Sequence, residues 1–197
     1  MIYTFILVIV VSYLLGSVPF GLVLTKISGL GDLRNVGSGN IGATNVLRVG
    51  GVRMAALVWL LDMLKAMVAV FLGRAIGGDV FAVLCGLCAV LGHCFPIWLR
   101  FRGGKGVSCL FGVLLATNPF LFVFCGLAWL AVVLMLGYSS LGALAVFALA
   151  PIFGFAIDFW TGMIFVVLSL ICLWRHRENI SRLMRGTESK IVWKWKK

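Results

Sequence analysis

Apolar residues gather into long runs separated by short polar breaks, and the runs have the length needed to cross a bilayer as helices. A hydrocarbon core about 30 Å thick takes roughly 20 helical residues. Candidate spans fall at 2–25, 53–76, 80–98, 141–157 and 159–174, and a further stretch at 106–137 has 32 residues, too many for one crossing. Asn118-Pro119 divides that stretch into a short first half and a second full-length helix, giving seven spans in all. Gly137-Tyr138-Ser139-Ser140 marks the next turn and Asp158 the last one. Gly16, Pro19 and Gly21 allow a kink and close helix approach near the end of the first span. The pattern predicts an all-α polytopic membrane protein, read as a single integral-membrane domain over residues 1–197 without repeat or linker.

Composition agrees with the pattern and excludes other classes. With 62% apolar and 12% charged residues and a mean hydropathy of +1.14, the chain cannot supply the charged surface of a soluble enzyme or DNA-binding domain. Lys and Arg number 17 against 6 Asp and Glu, for a net charge of +11. Cytoplasmic loops carry an excess of basic residues, so these charges orient the spans. With seven spans, Lys26, Arg34 and Arg48 in the loop 26–52, Arg100, Arg102 and Lys105 in the loop 99–105, and the basic tail all lie on one side. The loops at 77–79, 118–119 and 158 on the other side have no Lys or Arg. Six spans would put the early basic loops outside. Seven spans place the N-terminus outside and the C-terminus in the cytoplasm. The N-terminal segment lacks a basic start and a small-residue cleavage pattern, so it is expected to be a retained helix.

Three polar segments converge on the cytoplasmic side. In the first, 31–48, glycines at 31, 37, 39 and 42 alternate with Ser38, Asn40, Thr44 and Asn45. Such glycines let backbone N–H groups approach an anion, and a following helix N-terminus adds positive dipole. The segment reads as a phosphate cradle with Arg48 as charge partner; the alternative is a flexible connector. The second segment ends in Gly103-Gly104-Lys105-Gly106, a lysine among glycines before a helix. It is not a nucleotide P-loop, because Leu99 and Gly106 stand where Gly and Ser or Thr belong. Lys105 suits a phosphate or a developing oxyanion, or acts simply as a positive-inside anchor. The third segment, 175–190, sets His176, Asn179 and Arg182 on one helical face and Ile180, Leu183 and Met184 on another, as an amphipathic interfacial helix continuing from the seventh span. The closing 191–197 reads as an interfacial anchor.

Elsewhere the inventory is sparse. Asp62 and Lys65 can pair one turn apart inside the second span, and His93 reads as a helix-end packing residue. The six cysteines lie in or beside apolar runs and read as packing residues, with no zinc-type spacing. No Ser-His-Asp pattern, nucleophile elbow or metal cluster is present in the sequence, and neither His93 nor His176 is followed four residues later by Asp.

Gly37-Ser-Gly-Asn-Ile-Gly-Ala-Thr-Asn45, Gly92-His-x-Phe-Pro with Phe101-x-Gly-Gly-Lys-Gly106, and His176-Arg-x-Asn-Ile-x-Arg-Leu-x-x-Gly-x-Glu188 closely resemble the three motifs of the acyl-phosphate dependent glycerol-3-phosphate acyltransferases, the PlsY family. Gly16-Ser-Val-Pro-Phe-Gly21 and Asp62-x-x-Lys65 extend the likeness over the chain. The resemblance implies a bacterial inner-membrane enzyme with its active site facing the cytoplasm. Its substrates would be acyl phosphate and glycerol 3-phosphate, and it would use no metal or other cofactor, no nucleic acid and no obligate protein partner. Carried over, Ser38, Arg48, Lys105, His176 and Asn179 would be catalytic. Gly37, Gly39, Asn40, Thr44, Asn45, Gly103, Gly104, Ser140, Arg177 and Glu188 would contact substrate. A transporter of a phosphorylated anion or lipid is the alternative; it calls for midplane polar groups and related halves.

Overall fold

The computed structural model describes residues 1–191, and these contain helices and turns but no strand. The helices are α1 (Ile2–Ser17), α2 (Phe20–Ile27), α3 (Ala43–Cys94), α4 (Val107–Thr117), α5 (Pro119–Leu136), α6 (Ser139–Ile157), α7 (Phe159–Arg175) and α8 (Arg177–Met184). The anchoring role read from the closing segment concerns residues 192–197, which lie outside the described residues.

Local chemistry explains each break. The α1–α2 break falls at Val18-Pro19, where proline lacks the N–H needed to continue the helix. Asn118 caps α5, its side chain accepting from the Phe120 N–H with Pro119 in the first helical position. Asp158 caps α7 in the same way through the Thr161 N–H. Within α3 the helical dihedrals fail at Gly51 and at Gly77-Gly78. The second of these breaks is a hairpin: Val70 packs on Gly86 and Gly73 on Ala82, so 52–76 and 79–94 run antiparallel. Arg74 and Asp79 form a 2.7 Å ion pair across the turn, which neutralises the basic residue at that end.

One expectation is corrected. The loop 26–52 is helical from Ala43, with Gly42, still extended, as the N-cap that opens α3. The helix that follows the seventh span, α8, bends away from α7 by 61° at His176. The bend turns the polar face of α8 back over the ends of the other helices, where its hydrogen-bonding groups find partners.

Large apolar side chains such as Phe120, Leu134, Met135 and Trp160 are exposed around the bundle, and among the described residues four helical stretches are long and apolar enough to cross a bilayer. The interior core is formed by α3, α4, α6 and α7 around Leu110, Leu114, Phe147, Phe165 and Leu168. Against it α1 lies on α3 at close range, because Gly16 faces the backbone of Ala89 and Gly92 the backbone of Tyr13. A side chain at either glycine would overlap that backbone, so the contact depends on both.

At the same crossing sits a buried charge cluster. The Lys65 ammonium lies 2.6 Å from Asp62 Oδ1 and 3.1 Å from His93 Nδ1, and donates to the Val18 carbonyl at the α1–α2 break at 2.7 Å. The Asp62 contact is an ion pair by distance without hydrogen-bond alignment at Oδ1. Asp62, Lys65 and His93 are each 5% exposed or less. Removing one member of such a cluster strands the rest, at about 3–5 kcal/mol. Lys65→Met is therefore expected to lower the unfolding temperature of the detergent-solubilised protein sharply. Adding Asp62→Asn should recover part of the loss, because the double variant leaves no stranded carboxylate; equal or additive losses in a thermal melt would contradict this.

Candidate active site

The three polar segments meet around one cavity of about 970 Å³. Its polar end is lined by Ser38, Asn40, Thr44, Arg48, Lys105, Ser139, Ser140, His176, Asn179, Arg182 and Glu188, and its apolar end by residues of α3, α4 and α5.

The first wall is the glycine-rich loop. Its shape is set by Asn45, which is 1% exposed. Asn45 Nδ2 donates to the Leu33, Val36 and Asn40 carbonyls, and its Oδ1 accepts from the Ser38 N–H at 2.9 Å. Gly37, with φ +60°, lies so close to Asn45 Oδ1 that a Cβ would overlap it. Asn45 thus holds the loop in shape where it lines the cavity. Ser38 is exposed on the rim, Thr44 reaches Ser139 Oγ at 3.2 Å, and Arg48 donates to Ser189 Oγ at 2.7 Å.

Lys105 is delivered by a tight return of the chain. Arg100 and Phe101 take left-handed conformations, with φ of 51° and 61°, and reverse its direction. The Gly103 and Gly104 N–H groups then bond to the Cys94 and His93 carbonyls, and Arg175 donates to both glycine carbonyls from the end of α7. Neither glycine lines the cavity; side chains there would overlap Pro96 and the His93 ring. Their expected contact with substrate is replaced by a packing role. Gly39 and Arg177 are also absent from the cavity wall. Arg177 points outward, stacked 4.6 Å over Trp174.

The third wall is a hydrogen-bonded relay. Lys105 Nζ donates to Asn179 Oδ1, and Asn179 Nδ2 donates to Glu188 Oε1 at 2.6 Å. Ser140 Oγ donates to the same oxygen at 2.7 Å, while Arg182 Nε donates to Glu188 Oε2 at 2.6 Å. Glu188 is therefore the acceptor that orients the donors, and it lines the cavity as well. Burial opposes its ionisation, but the hydrogen bonds from Ser140, Asn179 and Arg182 prevail and hold its carboxyl below the usual range. Arg182, whose basic side chain faces the same relay, lines the cavity though it was not among the expected catalytic or substrate-contact residues; its place in the third motif, on the face of Asn179, was the available signal.

Among the described residues, three cations on the wall, Arg48, Lys105 and Arg182, exceed the single carboxylate, so the polar end favours anions. Burial, then the nearby Arg182 charge, lowers Lys105 to about 8. Burial pushes His176 down to about 4. Its Nδ1 lies 2.8 Å from the Cys172 carbonyl, which can only accept, so Nδ1 carries the proton and Nε2 is the free acceptor of a neutral ring. Phe147 meets that ring edge to face at 5.1 Å.

Asp62, His93 and Cys109 form a group with metal-ligand atoms within 4.8 Å of one another. The Lys65 ammonium already sits against two of them, Asp62 and His93, as the compensating cation.

The family described as Glycerol-3-phosphate acyltransferase matches residues 6–186. A glycerol-3-phosphate acyltransferase of Rhodopseudomonas palustris strain HaA2 is 51% identical over 193 residues, covering 95% of each chain. That of Agrobacterium fabrum is 49% identical over 187 residues, 92% of this chain and 89% of the relative. The crystal structure of PlsY (YgiH), an integral membrane glycerol 3-phosphate acyltransferase in its glycerol 3-phosphate form, superposes with a TM-score of 0.90 at 38% identity, covering 95% of this chain and 96% of that one. Its lysophosphatidic acid form gives 0.87 at 35% identity, covering 94% of each.

Lys105 loses its proton as pH rises through about 8, so the affinity of the cavity for inorganic phosphate should fall above that pH. Lys105→Arg, whose guanidinium stays charged, should bind phosphate with no such fall. Equilibrium binding from pH 6 to 10 tests both; an unchanged fall in the Arg variant would assign it to another group.

Proposed function

The chain belongs to the glycerol-3-phosphate acyltransferase family, and we propose on that premise how its cavity works. The enzyme transfers a fatty acyl group from acyl phosphate to the 1-hydroxyl of glycerol 3-phosphate, giving lysophosphatidic acid and inorganic phosphate. The observation that carries this reading is the continuity of a three-cation polar end with an apolar groove, one compartment for two phosphate groups and a hydrocarbon chain.

Acyl phosphate is a mixed anhydride and already activated, so alignment and charge stabilisation suffice without a covalent enzyme intermediate. The 1-hydroxyl oxygen attacks the acyl carbon, the new ester C–O bond forms, and the C–O bond to phosphate breaks as inorganic phosphate leaves. Arg48, Lys105 and Arg182 hold the two phosphate groups, with Ser38 adding a hydroxyl at the rim. Asn179, Ser140 and Glu188 set the position of Lys105 and Arg182. His176 Nε2 accepts the hydrogen bond of the attacking hydroxyl. With its imidazole held near 4 it is a weak base, and a substrate phosphate group, with a second pKa of about 6, is the better proton acceptor.

The single domain spans residues 1–197 and crosses a bacterial inner membrane seven times, with the N-terminus outside and the cavity open to the cytoplasm. The clustering of Lys26, Arg34, Arg48, Arg100, Arg102 and Lys105 on one side supports this orientation. The transporter alternative needs free polar groups at midplane, whereas Asp62, Lys65 and His93 are engaged with one another.

Purified protein given acyl phosphate and labelled glycerol 3-phosphate should form lysophosphatidic acid, and Lys105→Ala should lower kcat/KM by about 10²–10³, the loss on removing one preorganised donor. No product from the unmodified protein would defeat the enzyme reading; an acyl adduct trapped on Ser38 would defeat direct transfer. For orientation, a membrane-impermeant maleimide should label Asp79→Cys in intact spheroplasts and Ser28→Cys only after lysis, and the reverse order would invert the topology.

A further inference from the structure

The apolar end of the cavity has a definite floor. One face of α5 supplies Phe122, Gly126, Trp129 and Leu130, at helical spacing. Opposite it stand Trp59 of α3 and Phe111 of α4. Phe111 meets Phe122 edge to face at 5.9 Å and Trp59 at 6.2 Å, so three aromatic rings from three helices close the lower end. One turn above Phe122, Gly126 leaves the groove open. A Cβ built there meets only Phe111 Cε1, at 3.9 Å, an ordinary contact. A glycine inside an apolar helix costs roughly 0.5–1 kcal/mol relative to Ala, and here no neighbouring backbone demands it.

We propose that the Trp59–Phe111–Phe122 floor and the gap at Gly126 form the ruler that sets acyl-chain length in this enzyme. The inference rests on the acyltransferase reading above and names the feature that chooses among its donors. The occupant is the hydrocarbon tail of the acyl phosphate, whose head is held at the polar end of the same cavity. From Gly137, beside Ser140, to Phe122 the helix advances 15 residues, about 22 Å at roughly 1.5 Å per residue. An extended hydrocarbon advances about 1.25 Å per carbon, given C–C bonds of about 1.5 Å, so the groove accommodates a tail of roughly 16–18 carbons. Gly126 lies four residues above Phe122, about 6 Å. A large side chain there removes space for about five carbons.

The test measures kcat/KM with acyl phosphates of 10 to 20 carbons for the unmodified enzyme and two variants. Gly126→Leu should move the optimum about four to five carbons shorter, with 10- and 12-carbon donors still used and long donors falling at least tenfold, since each excluded methylene is worth about 0.8 kcal/mol. Phe122→Ala, which opens the floor, should flatten the discrimination against 20-carbon donors. An unchanged length profile in Gly126→Leu overturns the ruler. If that variant loses activity toward every donor, Phe122→Ala decides, and a profile there identical to the unmodified enzyme overturns it. Failure of the acyltransferase reading itself is a different result: no product from the unmodified enzyme with any donor.

Discussion

The arrangement of this protein depends on one buried ammonium. Lys65 Nζ is held between Asp62, His93 and the Val18 carbonyl, and the three side chains are buried. A charge there is tolerated only if every side of it is answered. The answering groups come from the two limbs of the α3 hairpin and from the α1–α2 break, and Cys109 Sγ on α4 donates to the Asp62 carbonyl at 3.1 Å. The cluster therefore joins four stretches of chain at a fixed point. It also reaches the site: the His93 carbonyl accepts from Gly104, the neighbour of Lys105, and the His93 ring leaves room only for glycine there.

Above this point the site is built from acceptors that aim donors. Asn45 folds the glycine-rich loop by meeting four backbone groups with one amide. Glu188 gathers Ser140, Asn179 and Arg182, and Asn179 passes the contact on to Lys105. Preorganisation of this kind suits a reaction whose donor is already activated, because the protein has only to align anions and stabilise the charge that develops. The bend of 61° between α7 and α8 makes the relay possible, since a straight continuation would carry Asn179 and Arg182 away from Lys105.

Much of the helical plan was legible along the chain, because proline, glycine and capping residues act locally. Pro19, Gly77-Gly78, Asn118-Pro119, Gly137 and Asp158 each interrupt a helix for reasons within a few residues. The motif residues that gather at the cavity were legible as a set, though not in their roles. Asn45, Gly103 and Gly104 look like ligand contacts in sequence, yet the first holds a loop and the others pack against His93 and Pro96. Arg177 and Arg182 are both basic and five residues apart, and only the direction of α8 turns one outward and the other toward Glu188.

The sequence by itself determined the solvent and the helices, because hydropathy is a property of runs of residues. It also determined the kind of substrate through cations, glycines and hydroxyls at recurring spacings. Tertiary structure alone decided which polar atoms remain free to bind, since a group used by a neighbouring backbone is unavailable to a ligand. It decided too that Gly126 opens a groove while Gly16 closes a helix contact: a missing side chain takes its meaning from what stands opposite it, here Phe111 at ordinary distance and there the backbone of Ala89.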